Sequence, residues 1–154
     1  KHIAASVTAI DLSTTALQTA RENATLNDTP IEFIQLDFLD ESTWNQLGTF
    51  DIIVSNPPYI KQSEESQMHQ NVLKHEPHLA LFVPDNDALI FYRKILSFAQ
   101  THLAENGMVY VEINQQLGTE TAALNRLTIS VYVKFTNTKD AKQNFETTFT
   151  RYAD

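Results

Sequence analysis

Apolar residues in this chain fall into short runs separated by stretches with helical spacing, and the two kinds alternate for most of its length. Val7 to Ile10 predicts a strand that stops at Asp11, and Ile31 to Leu36 predicts a second that stops at Asp37, followed by Phe38. Between them, Ser13 or Thr14 is placed to cap a helix whose apolar face is Ala16, Leu17, Ala20 and Ala24. The run Asn27-Asp28-Thr29-Pro30 stops that helix. Residues 1–6 read as a helix end, and Ser42–Leu47 as a short helical segment leading through Gly48 to a third strand. That strand, Ile52 to Val54, reads as buried because it is continuously apolar.

Downstream, a long polar segment runs from Ile60 to about Asp85, and a loop of that length inside a compact domain usually has a function. Its run Leu79-Ala80-Leu81-Phe82 is expected to fold back over the end of the third strand. A helix capped by Asp85 or Asp87 follows, with Leu89, Tyr92, Ile95 or Leu96, Ala99 and Leu103 on one face and Asn106-Gly107 at its end. Met108–Ile113 reads as a strand, Leu117–Leu124 as a short helix, and Thr128–Phe135 and Phe145–Tyr152 as two further strands. Alternation of this kind predicts an α/β fold with a mostly parallel sheet flanked by helices.

The third strand ends in Ser55-Asn56-Pro57-Pro58-Tyr59. Consecutive prolines end the ladder, since neither has an N–H to give, and Pro57 biases Asn56 toward an extended backbone. The outcome is a stiff elbow at the carboxyl end of a strand, where open α/β sheets place their ligands. It offers the Asn56 side-chain oxygen, a backbone carbonyl and the face of Tyr59. That set fits a planar group bearing an NH2, whose two hydrogens are held while its plane stacks on the ring. Such a nitrogen is a poor nucleophile, and fixing it in front of an electrophile exploits proximity and acceptors set where positive charge develops. Taken alone, the same residues also describe a proline-stiffened strand exit with a packing tyrosine.

Composition narrows the classes. The chain of 154 residues is 42% hydrophobic, enough for one domain with a real core. It has no cysteine, which removes disulfides, thiolate chemistry and cysteine metal sites and fits a reducing cytoplasm. No apolar run approaches 18 residues, so no membrane association is expected. A net charge of -8 opposes broad nucleic-acid binding.

Asp11 ends a strand before a helix, and in nucleotide-binding α/β folds an acid there accepts from ribose hydroxyls. A solvated acid favoured by the helix dipole accounts for it equally well. Asp37-Phe38 repeats the arrangement one strand later, and with the elbow these residues form a row along one sheet edge. Glu112 ends a later strand on that edge, as a site carboxylate or a plain strand-end acid. His69, His75 and His78 lack a ligand pattern, so no metal is expected.

These residues together resemble a class I S-adenosylmethionine-dependent methyltransferase, and within that class the HemK family, the protein-(glutamine) methyltransferases of peptide chain release factors. The resemblance runs through Ala9-Ile10-Asp11-Leu12-Ser13, Ala20-Arg21-Glu22-Asn23-Ala24, Asp37-Phe38 and Ile53-Val54-Ser55-Asn56-Pro57-Pro58-Tyr59-Ile60. It continues through His75-Glu76-Pro77 with Ala80-Leu81, then Phe91-Tyr92-Arg93-Lys94-Ile95 and Gly107 to Ile113. The elbow is shared with methyltransferases of adenine amino groups, whereas the Glu-Pro loop followed by Phe-Tyr-Arg is particular to the release-factor group.

The resemblance implies a Rossmann-like three-layer sandwich with an antiparallel strand near the carboxyl terminus, forming a single catalytic domain over residues 1–154. It implies S-adenosyl-L-methionine as cofactor and S-adenosyl-L-homocysteine as product, held by Asp11 on the ribose, Leu12 against the adenine, Asp37 with Phe38 at the adenine edge and face, and Asn56. Asn56 and the Pro57 carbonyl are implied to hold the glutamine amide, with Tyr59 stacked on it and Pro58, Glu76 and Pro77 completing the substrate side. The implied partner is a release factor in the cytoplasm. The family's first strand and glycine-rich loop have no counterpart before Asp11, since the only glycines are Gly48, Gly107 and Gly118. The chain is therefore expected to be truncated at its amino-terminal side, leaving a gap between the Asp11 and Asn56 strands, and to be weak or inert as it stands.

Two rival substrates stay in view: a glutamine of a ribosomal protein, and an adenine amino group of DNA or RNA. Between Lys61 and Ala80 the loop sets two lysines against three glutamates, which is not the basic, aromatic lining of a nucleic-acid channel. An inactive methyltransferase-like scaffold is the non-enzymatic alternative.

Overall fold

The structure, a computed structural model, describes residues 5–114, 117–124, 130–136 and 146–149. The expected helix end at 1–4 and the stretch 137–145 lie outside the described residues. The chain divides into two compact units, 1–47 and 48–154.

In the first unit, β1 (Thr8–Asp11), α1 (Thr14–Leu26) and β2 (Glu32–Gln35) follow the expected order. The strands pair in parallel, with Asp11 opposite Gln35. Ser13 caps α1, its side chain accepting from the Ala16 N–H at 3.2 Å. The helix ends at Asn27, and Asp28 takes a left-handed φ of 50°, which a short polar side chain tolerates. Of the expected apolar face only Leu17 is deeply buried; Ala20 and Ala24 are half-buried and Ala16 is exposed. The small core is completed by Leu36, Trp44 and Leu47, the last two carried by or next to a 3-10 helix over Glu41–Gln46.

In the second unit, β3 (Phe50–Ser55) leads into the elbow, and β4 (Ile60–Lys61) leaves it. The long polar segment is structured: a 3-10 helix over Gln62–Gln67, α2 (Gln70–His75) and α3 (His78–Leu81) precede β5 (Phe82–Val83). β5 pairs in parallel with β4, Ile60 opposite Phe82 and Lys61 opposite Val83. The excursion is thus clasped at its base. Phe82 does return beside the elbow's exit as expected, but Leu79 points outward and is 78% exposed.

α4 (Ile90–His102) follows and buries Tyr92, Ile95, Leu96, Phe98 and Ala99. β6 (Leu103–Asn114), α5 (Gly118–Leu124), β7 (Ser130–Thr136) and β8 (Glu146–Phe149) complete the unit. The sheet order is β3-β6-β7-β8, parallel at the first two pairings and antiparallel at the last. β1–β2 and β3–β6–β7–β8 are separate ladders among the described residues. The mixed α/β architecture with parallel strands is as the alternation predicts, and the antiparallel strand near the carboxyl end is as the resemblance implies.

Three local expectations are corrected. β3 is not buried throughout: Ile52 is 52% and Val54 75% exposed. These two share a face because side chains alternate along a strand, and β3 is the edge strand of its sheet among the described residues. α4 ends at His102, not at Asn106-Gly107, because Leu103 turns extended and pairs with Phe50. The ladder then shifts register before Met108, Asn106 takes a φ of 62°, and a Cβ on Gly107 would meet the Leu103 Cγ at 2.8 Å. Gly107 is required by that close approach rather than as a helix stop. Neither Asp85 nor Asp87 caps α4, whose N-cap is Leu89 without a side-chain bond.

Candidate active site at the carboxyl ends of the strands

Asp11 and Asp37 both lie at the carboxyl edge of the β1–β2 pair. The Leu36 N–H bonds the Asp11 carbonyl at 3.2 Å, and Gln35 Nε2 donates to the Leu12 carbonyl at 3.1 Å, so the two strand ends are laced together. Asp11 is exposed; its Oδ1 accepts from the Ser13 N–H at 2.7 Å, and Oδ2 has no protein partner among the described residues. Leu12 stands 51% exposed beside it, an accessible apolar surface. Asp37 is exposed too, and its Oδ1 accepts from the Leu39 N–H at 2.9 Å.

Phe38 is half-buried and held by a residue that sequence reasoning passed over. Trp44 Nε1 donates to the Phe38 carbonyl at 3.0 Å, and the two rings lie 5.4 Å apart at 31°. The signal was available: the chain's one Trp, six positions on, across a turn capped by Asp40. A 600 Å³ cleft in this unit lies elsewhere, lined by Arg21, Thr25, Asp28, Pro30, Ile31 and Phe33 among others, toward the amino end of β2. None of the expected site residues lines it.

In the second unit the elbow follows the last β3 pairing, Ser55 opposite Val111. Asn56 is exposed and its side chain makes no hydrogen bond among the described residues, while Pro57 is buried and Pro58 and Tyr59 are half-buried. The corner is anchored by its prolines and presents its amide outward. Desolvation raises the pKa of the buried Tyr92 phenol, and the charge of the Tyr59 phenolate adds to the rise. Glu112 is half-buried at the end of β6, and its carbonyl accepts from the Tyr92 hydroxyl at 3.2 Å. Glu76 and Pro77 are exposed between α2 and α3, and no hydrogen bond joins their side chains to the elbow among the described residues.

The base of the excursion carries its own lock. Asp85 Oδ1 accepts from the Ser63 N–H at 2.9 Å, which lowers the Asp85 pKa. The Arg93 guanidinium reaches both Asp87 oxygens. The His78 ring lies 4.2 Å from the Phe82 ring at a tilt of 32°, and its Nε2 is 3.5 Å from Glu65 Oε1. No cluster of three potential metal ligands occurs among the described residues.

A parallel α/β arrangement with two strand-end acids and an Asn-Pro-Pro-Tyr corner defines a methyltransferase-type chain. It matches the methyltransferase small domain family over residues 1–80, and the chain belongs to that family, whose fold is the class I Rossmann-like one. Among curated proteins it is 56% identical over 120 residues to a release factor glutamine methyltransferase of Flavobacterium psychrophilum, covering 78% of this chain and 41% of that protein. A protein of the same name from Lactococcus lactis is 47% identical over 119 residues, covering 77% and 42%. One from Bacteroides thetaiotaomicron is 45% identical over 114 residues, covering 74% and 41%. The HemK resemblance read from the motifs is thereby borne out. The chain spans about two fifths of the length of these relatives. No solved structure gives a significant match.

Proposed function

We propose that the protein carrying this chain methylates a glutamine side-chain amide in a peptide chain release factor, using S-adenosyl-L-methionine, in the cytoplasm. The reading rests on one observation above the rest: Asn56 stands exposed, without a side-chain hydrogen bond among the described residues, on a corner whose Pro57 is buried. The names of the relatives at 45–56% identity support the substrate class. Helices on both sheet faces, in a three-layer single domain, are the architecture this reading calls for.

The residues present fit the cofactor. Asp11 offers an exposed carboxylate with one oxygen uncommitted, which suits ribose hydroxyls. Leu12 offers apolar surface for an adenine face, and Asp37 with the Trp44-held Phe38 offers an acceptor and a ring. When bound, S-adenosylmethionine supplies a methyl group on a sulfonium, already electrophilic. The chain's own task is alignment. The Asn56 side-chain oxygen and the Pro57 carbonyl accept the two amide hydrogens, and Tyr59 stacks on the amide plane. Holding both hydrogens disfavours rotation of the NH2 group and stabilises positive charge as it develops on nitrogen. No strong base is required, because the proton leaves to solvent after the nitrogen has been alkylated.

Incubating the protein with radiolabelled cofactor and, separately, a release factor, a ribosomal protein and an adenine-containing oligonucleotide tests this directly. Label in a release-factor glutamine is expected. Label confined to either rival substrate would replace the reading, and no cofactor binding by calorimetry at millimolar concentration would support an inactive scaffold.

A further inference from the structure

The carboxyl end of β6 has a partner that is not a strand. The Tyr92 side chain, 2% exposed on α4, donates its hydroxyl proton to the Glu112 carbonyl at 3.2 Å. The Tyr92 hydroxyl oxygen in turn accepts from the Asn114 N–H. A carbonyl and an N–H spaced two residues apart on a strand point to the same edge, and they are the pair that one residue of a neighbouring parallel strand would bond. Continuing the β3–β6 register two residues past Ser55 and Val111 sets Pro57 at the level of Ile113, between those two groups. Pro57 has no N–H to give to Glu112.

We propose that Tyr92 is a positioning residue for the elbow, its hydroxyl standing in for the strand residue that Pro57 cannot be. The chain can then leave the sheet at Asn56 while the Glu112 carbonyl and the Asn114 N–H, on half-buried residues, keep this partner. Tyr92 acts through what it holds: it fixes the strand end level with Asn56, and it is coupled electrostatically to Tyr59. This role rests on the methyl-transfer reading above, and it concerns a residue that touches neither substrate nor cofactor.

Tyr92→Phe removes one oxygen and keeps the ring. By hydrogen exchange on the intact protein, well below its melting temperature, the Asn114 amide should exchange at least about tenfold faster, with the amides of Leu96, Phe98 and Ala99 within about twofold. Unchanged Asn114 exchange, or equal loss along α4, overturns the inference. In the methyl-transfer assay the variant should lose roughly three- to tenfold in kcat, with KM for cofactor and substrate within about twofold. Tyr59→Phe, at a half-buried position, gives an independent arm. If Tyr92 acts through Tyr59, the double variant loses less than the product of the two single losses. Full kcat in Tyr92→Phe, or strictly multiplicative losses, overturns the positioning role. A wild-type protein without methyl transfer to any glutamine overturns the reading beneath it, and the exchange arm still tells whether the hydroxyl holds Asn114.

Discussion

Asn56 and Asp11 carry the clearest division of labour at the scale of single residues. Both are exposed, and each leaves an acceptor without a protein partner among the described residues. Asn56→Ala removes an acceptor that matters most when charge builds on the amide nitrogen. It should abolish methyl transfer while leaving cofactor affinity within about threefold by calorimetry. Equal loss of cofactor binding would mean that Asn56 serves the other ligand. Asp11→Ala should do the reverse, weakening cofactor binding roughly 10- to 100-fold, the worth of a hydrogen bond to a charged group. At saturating cofactor its kcat should hold. These positions were legible because strand-end acids and a Pro-Pro corner announce themselves in local sequence. Trp44 and Tyr92 were not, because their roles come from partners that folding brings close: the Phe38 carbonyl for one, Glu112 for the other.

Element by element, the periodicity located the main helices and strands, missed β4, α2, α3 and β5 inside the polar segment, and misjudged what decides the limits of α4. Leu103 continues the apolar spacing of α4, yet pairing with Phe50 claims it for β6. Local spacing cannot weigh a ladder bond against one more helical turn. Ile52 and Val54 likewise report a strand but not whether anything covers its face. Gly107→Ala tests the new account of that corner. Its Cβ would lie 2.8 Å from the Leu103 Cγ and 2.9 Å from the Ala104 carbonyl oxygen. The overpacking should destabilise by about 1–3 kcal/mol, read in urea unfolding with an unchanged m-value.

The polar excursion after the elbow offers a pH test at the same scale. Asp85 is held below its ordinary 3.8 by the Ser63 N–H, its first cause, with the Ser63 side chain and Lys61 adding to it. A carboxylate with a depressed folded pKa lends its stabilisation above the unfolded value and loses it as pH falls through the folded one. The clasp should therefore be intact at neutral pH and open only in acid. The Ser63 amide proton shift, followed by NMR, should titrate with a midpoint below 3.8, and that transition should vanish in Asp85→Asn. A midpoint at or above 3.8 would remove Asp85 as the lock.

For the whole molecule, charge bears on which rival substrate is excluded. The chain carries -8 overall, and the excursion beside the elbow sets three glutamates against two lysines. Binding to a phosphate backbone depends on counterion release by clustered lysine and arginine, and its affinity falls steeply with salt. The lysine-poor excursion argues against gathering an adenine-bearing strand to the corner, even though the corner's acceptors would suit an exocyclic amine as well as an amide. The elbow alone thus leaves the substrate open, and on the proposed reading the charge around it weighs against one branch. Fluorescence anisotropy with single-stranded DNA and RNA oligonucleotides at 150 mM salt should show no binding tighter than the roughly 10⁻⁴–10⁻⁶ M of non-specific complexes. Binding well below about 10⁻⁶ M with a steep salt dependence would shift the substrate to nucleic acid while leaving the proposed roles of Asn56 and Tyr59 as they stand.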